Sequence, residues 1–289
     1  MLCVLCGNTS GRRVYAPEVT KPRILTRCNA CGLLQMDPMP SDSELAAYYQ
    51  EYDVLGEHSA YFQGLAQPNA METAEGKDFV QRVDWMLAHV PTPTSTLDVG
   101  SGSGFFLEIM KSRGLTAEGV EINERAAATT AQRVGTTVHP GTVFDVPERT
   151  YQAVTLWDVV EHVNDPLGLL DRVHDLVEQD GWLFIETPNE GALLDRSVLG
   201  LDRLGLRWPA EMFYGIHHIV LFRAETIRDL LQRAGFEIVE IRFAETQVQR
   251  VFNRSSLRSL ISWTAVSTLF LCARLVKMQN KLLIAARRV

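Results

Sequence analysis

Residues 96–104 read Thr-Leu-Asp-Val-Gly-Ser-Gly-Ser-Gly, and they limit the folds open to this chain more than any other stretch. Four strand-compatible residues run into glycines at 100, 102 and 104, where a backbone without Cβ atoms can turn sharply and approach a ligand. A strand feeding a glycine loop that opens a helix is the first unit of an open α/β sheet, and the rest of the sequence keeps that alternation. Strands are expected at 95–99, 116–121, 137–139, 153–158, 182–186 and 236–243, and helices at 104–113, 123–134, 166–178 and 225–234. Gly114, Gly135 and Gly235 close three of these helices, as a left-handed C-cap requires. The expected fold class is α/β, with a doubly wound, mostly parallel sheet.

The loop is not a dinucleotide fingerprint, which would place its third glycine where this chain has Phe105 or Leu107. Asp98 sits just inside the loop, where a carboxylate repels a pyrophosphate but attracts an ammonium or sulfonium group. Glu121 ends the second strand, where an acid can take both hydroxyls of a ribose.

Four of the five cysteines form two pairs, Cys3-x2-Cys6 and Cys28-x2-Cys31, each followed by a glycine, Gly7 and Gly32. Such pairs can converge on one tetrahedral zinc, a structural one because all four ligands come from the protein. Cys272, inside an apolar run, is expected in the core. No signal peptide is recognisable, which favours a cytoplasmic location. Apolar residues make up 46% and charged residues 22% of the chain, which excludes disordered and collagen-like classes. The net charge of −7 is unevenly spread: +3 over residues 1–40, +8 over 250–289, and 15 basic against 33 acidic residues between them. A body at −18 argues against a nucleic-acid phosphate backbone as the partner.

With these motifs in view, the chain from about residue 75 resembles the class I S-adenosylmethionine-dependent methyltransferases, with their Rossmann-like sheet. LeuAspValGlySerGlySerGlyPhe resembles their first motif and GlyValGluIle their second. TrpAspValValGluHisVal at 157–163, ThrProAsn at 187–189 and HisHisIleValLeuPhe at 217–222 resemble the branch that includes quinone and sugar enzymes. The resemblance implies that Asp98, Gly100, Ser101, Gly102 and Gly104 hold the methionine end of the cofactor and Glu121 its ribose. It adds Trp157 to the cofactor site, with the loop from Val143 to Asp145 over the adenine. The cysteine-rich start resembles the zinc-ribbon head of many bacterial methyltransferases of polysaccharide and secondary-metabolite pathways. Three parts are thus expected: a zinc-ribbon head at 1–40, a helical linker or lid at 41–90, and the methyltransferase domain at 91–289. That domain carries an insert at 188–222 and an apolar helix at 255–276.

Asp158, Glu161 and His162 follow the fourth strand of the domain, at the edge where ligands of such sheets bind. In quinone O-methyltransferases a similar segment is associated with a divalent cation, and capping of the next turn is the alternative. His218, near Tyr214, resembles the base of zinc-headed deoxysugar C-methyltransferases, and either His162 or His218 has a suitable pKa for that role. The expected activity is O-methylation of a sugar or small metabolite. C- or N-methylation of a nucleotide-linked deoxysugar and quinone-type O-methylation are the alternatives, ahead of RNA methylation or a non-catalytic scaffold. Two apolar stripes on 255–276 exceed what one packing face needs. The second stripe would dock on the insert, on another subunit, or on a membrane surface that also carries a lipid-linked acceptor.

Overall fold

The computed structural model describes residues 1–16, 24–51, 70–214, 218–246 and 257–289. Residues 52–69 of the expected linker or lid at 41–90, His217, and the side chain of Trp263 lie outside the described residues. At the N-terminus β1 (Gly11–Tyr15), β2 (Ile24–Cys28) and β3 (Leu34–Asp37) form an antiparallel meander. Helix α1 (Asp42–Glu51) starts at a capping box in which the Glu44 amide donates to Ser41 Oγ at 3.3 Å and the Ser41 amide donates to Glu44 Oε2 at 2.8 Å. Helix α2 (Ala74–His89) is capped by Thr73.

The alternating part follows as β4 (Thr96–Val99), α3 (Phe105–Ser112), β5 (Glu118–Glu121), α4 (Glu124–Val134), β6 (Val138–Pro140), β7 (Tyr151–Trp157), α5 (Pro166–Leu176) and β8 (Val177–Pro188). The insert holds α6 (Leu193–Arg203), α7 (Trp208–Phe213) and β9 (Val220–Leu221), and the chain ends with α8 (Ala224–Arg233), β10 (Phe236–Ala244), α9 (Leu257–Leu275) and β11 (Lys281–Arg288). The main sheet has the order β10-β11-β8-β7-β4-β5-β6, with β11 alone antiparallel to its neighbours. Helix α5 stops two residues before the expected 178 because buried, β-branched Val177 pairs with Tyr151 and joins the sheet.

Strand alternation divides the core. Val154, Leu156, Leu183, Ile185, Leu282 and Ile284 join one cluster with α5 and α8, whereas Ala153, Trp157, Phe184, Leu283 and Ala285 join another with α2 and α3. Leu25, Leu33, Leu34 and Met36 of the meander belong to the first cluster, so its core is continuous with that of the domain. The insert completes this junction: β9 pairs with β3, Leu221 opposite Leu34 and Val220 opposite Gln35. Arg27 of β2 makes a two-pronged ion pair with Glu190 at the start of the insert.

Helix α9 packs against α6 with Phe270 and Ala273 buried. Cys272, expected in the core, is exposed instead, because a helix apolar on more than one face can turn only one of them inward here. Among the described residues no helix is long and apolar enough to cross a membrane.

Candidate active site

Val99 ends β4, and the loop after it is sewn to β5 by backbone amides. Gly100 and Ser101 both donate to the Val120 carbonyl, at 2.8 and 3.0 Å. Gly100 has φ 72°, and a Cβ there would lie 2.8 Å from Val159 Cγ2, so a side chain is excluded by both strain and space. At Gly104, with φ 76°, a Cβ would collide with Thr130 Cγ2. The Gly102 amide donates to Glu121 Oε2 at 2.8 Å, and the Asn123 amide donates to Glu121 Oε1 at 2.9 Å. Burial raises the Glu121 pKa against those amide bonds.

Asp98 is buried beneath this loop. Burial pushes its carboxyl up to about 8, opposed by the Thr155 hydroxyl, which donates to Oδ1 at 2.7 Å, and reinforced by the charge of Glu121. A buried acid whose ionised form a neighbouring cation would favour fits an ammonium group. Ser101 Oγ and Trp157 Nε1 are buried without a hydrogen-bond partner among the described residues, as polar atoms kept for a ligand would be. The Trp157 ring lies against Phe79 and Phe106. Asp145 caps its own turn, accepting from the Thr142 amide at 2.8 Å and hydroxyl at 2.9 Å, which lower its pKa, and the adjacent Phe144 is the exposed aromatic of that turn.

The second half of the site gathers side chains from distant segments. A short turn, Val160–His162, follows β7 and buries Glu161, whose Oε2 accepts from the Thr187 hydroxyl at 2.9 Å. Burial, and secondarily the charge of Asp158, raise the Glu161 pKa well above the carboxylate range. The rings of His162 and His218 meet edge to face at 5.0 Å between centroids, and Tyr49 of α1 meets His162 at 6.1 Å. Ligand atoms of Glu161, His162 and His218 lie within 4.8 Å of one another, close enough to share one cation. Asp158, grouped with Glu161 and His162 in the sequence, is drawn elsewhere: its Oδ2 is 3.3 Å from Lys281 Nζ.

Sequence reasoning missed a buried ion network behind this edge, in which Glu186 binds Lys281 and its Oε2 forms an ion pair with Arg82 Nε at 2.6 Å. Glu186 and Lys281 are charged residues in apolar strands, the one local signal they gave. It also missed Asn123, whose side-chain amide donates to the carbonyls of Tyr49 at 2.9 Å and Gln50 at 3.1 Å and holds α1 against the site.

In the head, Cys3 Sγ is 3.5 Å from Cys31 Sγ and Cys6 Sγ 3.6 Å from Cys28 Sγ, and all four sulfurs lie within 4.8 Å of one another. A tetrahedron with zinc–sulfur bonds of about 2.3 Å has sulfur–sulfur edges of about 3.8 Å, so the donor set fits zinc. The Gly7 and Gly32 amides donate to the Cys3 and Cys28 carbonyls with positive φ at both glycines, so the backbone curls round the centre of the four sulfurs.

The sequence profile of a family described as a methyltransferase domain matches residues 71–241. A ubiquinone biosynthesis O-methyltransferase of Burkholderia thailandensis is 26% identical over 175 residues, covering 56% of this chain and 72% of that protein. Two solved structures share the fold. Magnesium protoporphyrin IX methyltransferase from Synechocystis superposes with a TM-score of 0.56 and 13% identity, covering 86% of this chain and 100% of that one. The 1,6-didemethyltoxoflavin-N1-methyltransferase of Burkholderia thailandensis, with its substrate and S-adenosylhomocysteine bound, gives 0.54 and 16%, covering 97% and 100%.

Proposed function

The chain belongs to the methyltransferase-domain family and is an S-adenosylmethionine-dependent methyltransferase, and from that premise we propose that it methylates a hydroxyl oxygen of a small acceptor, a sugar or a phenolic ring, where His162 and His218 meet. The observation that carries this reading is the 5.0 Å approach of the two imidazoles beside buried Glu161. They stand on the sheet edge that also bears the glycine loop, so acceptor and cofactor would face each other.

S-adenosylmethionine, when bound, supplies a methyl group already activated on a sulfonium centre. Asp98 and the loop Gly100–Gly104 hold its ammonium and carboxylate end, Glu121 its ribose, Ser101 and Trp157 give the hydrogen bonds they otherwise lack, and Phe144 beside Asp145 covers the adenine. The remaining acceleration comes from holding the acceptor oxygen in line with the methyl carbon. A ring nitrogen of His162 or His218 takes the acceptor proton, and Glu161, with Oε1 3.9 Å from His162 Nε2, stands beside the ring that would carry the charge. The named relative favours a phenolic ring, and the resemblance of the head favours a sugar.

A second reading keeps the same residues. One carboxylate and two imidazoles suit a divalent first-row ion, which would polarise the acceptor oxygen in place of a base. The four cysteines of the head hold a separate, structural zinc in this proposal, and residues 1–40, 41–90 and 91–289 act as its three parts. Turnover on a panel of sugars, quinols and RNA, with and without chelator, tests both. A chelator-insensitive activity on sugars or quinols that drops in His162→Ala or His218→Ala supports the base. Cofactor binding without turnover on any hydroxyl acceptor rejects the proposal.

A further inference from the structure

We propose that the protein docks peripherally on an anionic lipid bilayer through the loop between α6 and α7 together with the C-terminal end of α9. Seven of the twelve large apolar side chains left exposed among the described residues lie in two short segments, 201–208 and 271–276. The others are scattered singly, as on any soluble surface. In the loop, Leu204 is 84% exposed and is followed by exposed Leu206 and Trp208. Gly205 between them has φ 88° and open space where a Cβ would stand, as expected of a tip that none of the described residues covers. On α9, Leu275 is 79% exposed and flanked by exposed Leu271 and Val276. The two segments are carried by helices that pack against each other; the Leu193 amide donates to the Met278 carbonyl at 2.9 Å, so the end of α9 stands beside the start of α6 and the loop follows the other end of α6.

Charge selects the occupant. Arg203 and Arg207 flank the loop residues and Arg274 and Lys277 flank those of α9; Arg207 pairs with Asp202 and Arg274 with Glu245, so four cations stand against two acids. Apolar tips that include a tryptophan, set among arginines and lysines, match a surface where tails lie below and anionic headgroups above. A second copy of the chain is a poorer partner, since a two-fold contact would set these cations against themselves. Residues 41–249 sum to −18 with the loop included, so the acidic surface outside the loop is repelled by the same headgroups and this face is the one that approaches. An amphipathic contact of this kind lies on the membrane and needs no spanning helix, in keeping with the absence of one among the described residues. The proposal does not depend on which acceptor is methylated, although it favours one delivered from the membrane.

Cosedimentation of the full chain with vesicles tests it, using phosphatidylcholine alone and phosphatidylcholine with about a third phosphatidylglycerol. Binding to the anionic vesicles at low salt, its loss on neutral vesicles and its weakening at high salt are the expected results. Leu204→Asp with Leu206→Asp should reduce vesicle binding about tenfold or more, and so should Leu275→Asp separately, with S-adenosylhomocysteine affinity kept. Since all three substituted positions are exposed and outside the proposed methyl-transfer site, retained cofactor binding shows that the variants fold. Absence of binding to anionic vesicles, or equal binding by parent and variants, overturns the proposal. So does a lipid-free dimer that Leu204→Asp with Leu206→Asp converts to monomer, because the patch would then be covered by a second copy.

Discussion

The proposed cofactor half and the proposed acceptor half of the site share one sheet edge but are built differently. The centre of the first is made by two consecutive strands and one loop, from backbone amides and two carboxylates, Asp98 and Glu121, 23 residues apart in sequence, with Trp157 and the turn at Phe144 added at its rim. The second takes Tyr49 from α1, Glu161 and His162 from a turn after β7, Thr187 from the end of β8 and His218 from the end of the insert. Local sequence therefore sets the first half, whereas the second exists only when four segments are folded together. Damage far from the chemistry should accordingly spare cofactor binding and abolish transfer.

The strongest way to break this contrast is through the head. Cys28→Ser with Cys31→Ser should abolish zinc binding at the proposed four-cysteine site, and metal binding contributes about 10–16 kcal/mol to the folding of such small modules. Strand β9 closes the head's sheet, and His218 lies two residues before it, so an unfolded head would displace the acceptor half. Turnover should vanish while calorimetry still detects S-adenosylhomocysteine binding. Full activity in zinc-free protein, measured beside elemental analysis, would separate the head from the site.

Next in size are the imidazoles. His162→Ala or His218→Ala should lower kcat by about 10²–10⁴-fold with cofactor affinity unchanged, as for loss of a general base. If both variants turn over like the parent, neither ring moves the proton, and the acceptor half has been assigned to the wrong residues.

The same division explains what was legible in the sequence. The glycine loop, the strand and helix order and the cysteine pairs are each written within one or two short segments, and their backbone consequences are local. The capping box at Ser41 and the C-cap at Gly135 occur where their residue types demanded. By contrast, the spacing of Asp158, Glu161 and His162 suggested one group, yet Lys281, more than a hundred residues later, binds Asp158 and His218 takes its place beside the other two. Nothing local to β3 announced that Val220 and Leu221 would pair with it. Apolar periodicity on 255–276 showed that more than one face was greasy but not which face would be buried, because that depends on the position of α6.

Within the cofactor half, Glu121→Ala should weaken cofactor binding by about 1–3 kcal/mol, the cost of leaving ribose hydroxyls and two loop amides without their acceptor. The Gly102 and Asn123 amides both rest on that carboxylate, so a part of the loss would come from loosening the loop. A change in Kd for S-adenosylhomocysteine with little change in kcat at saturating cofactor would keep the halves distinct. Unchanged affinity would refute the ribose assignment.

The smallest effect concerns protons on Asp98. Its carboxyl is pushed up to about 8 by burial, against the Thr155 bond and with the charge of Glu121 adding to it. The folded pKa is raised, so the protonated acid contributes stability that is fully present below about pH 4 and is lost as pH rises through about 8, at no more than about 1.4 kcal/mol per pH unit. A cofactor ammonium beside it favours the anion, so affinity should strengthen by up to about tenfold per unit as pH rises towards that value. Burial also raises Glu121, Glu161 and Asp195, which makes the parent's own slope a composite. The difference between parent and Asp98→Asn isolates one group: the variant should lose part of the slope both in the Tm of ligand-free protein and in S-adenosylhomocysteine affinity between about pH 6 and pH 8. Parallel slopes in both measurements would mean that the ammonium does not lie against Asp98, and the cofactor half would have to be redrawn with Glu121 as its only working carboxylate.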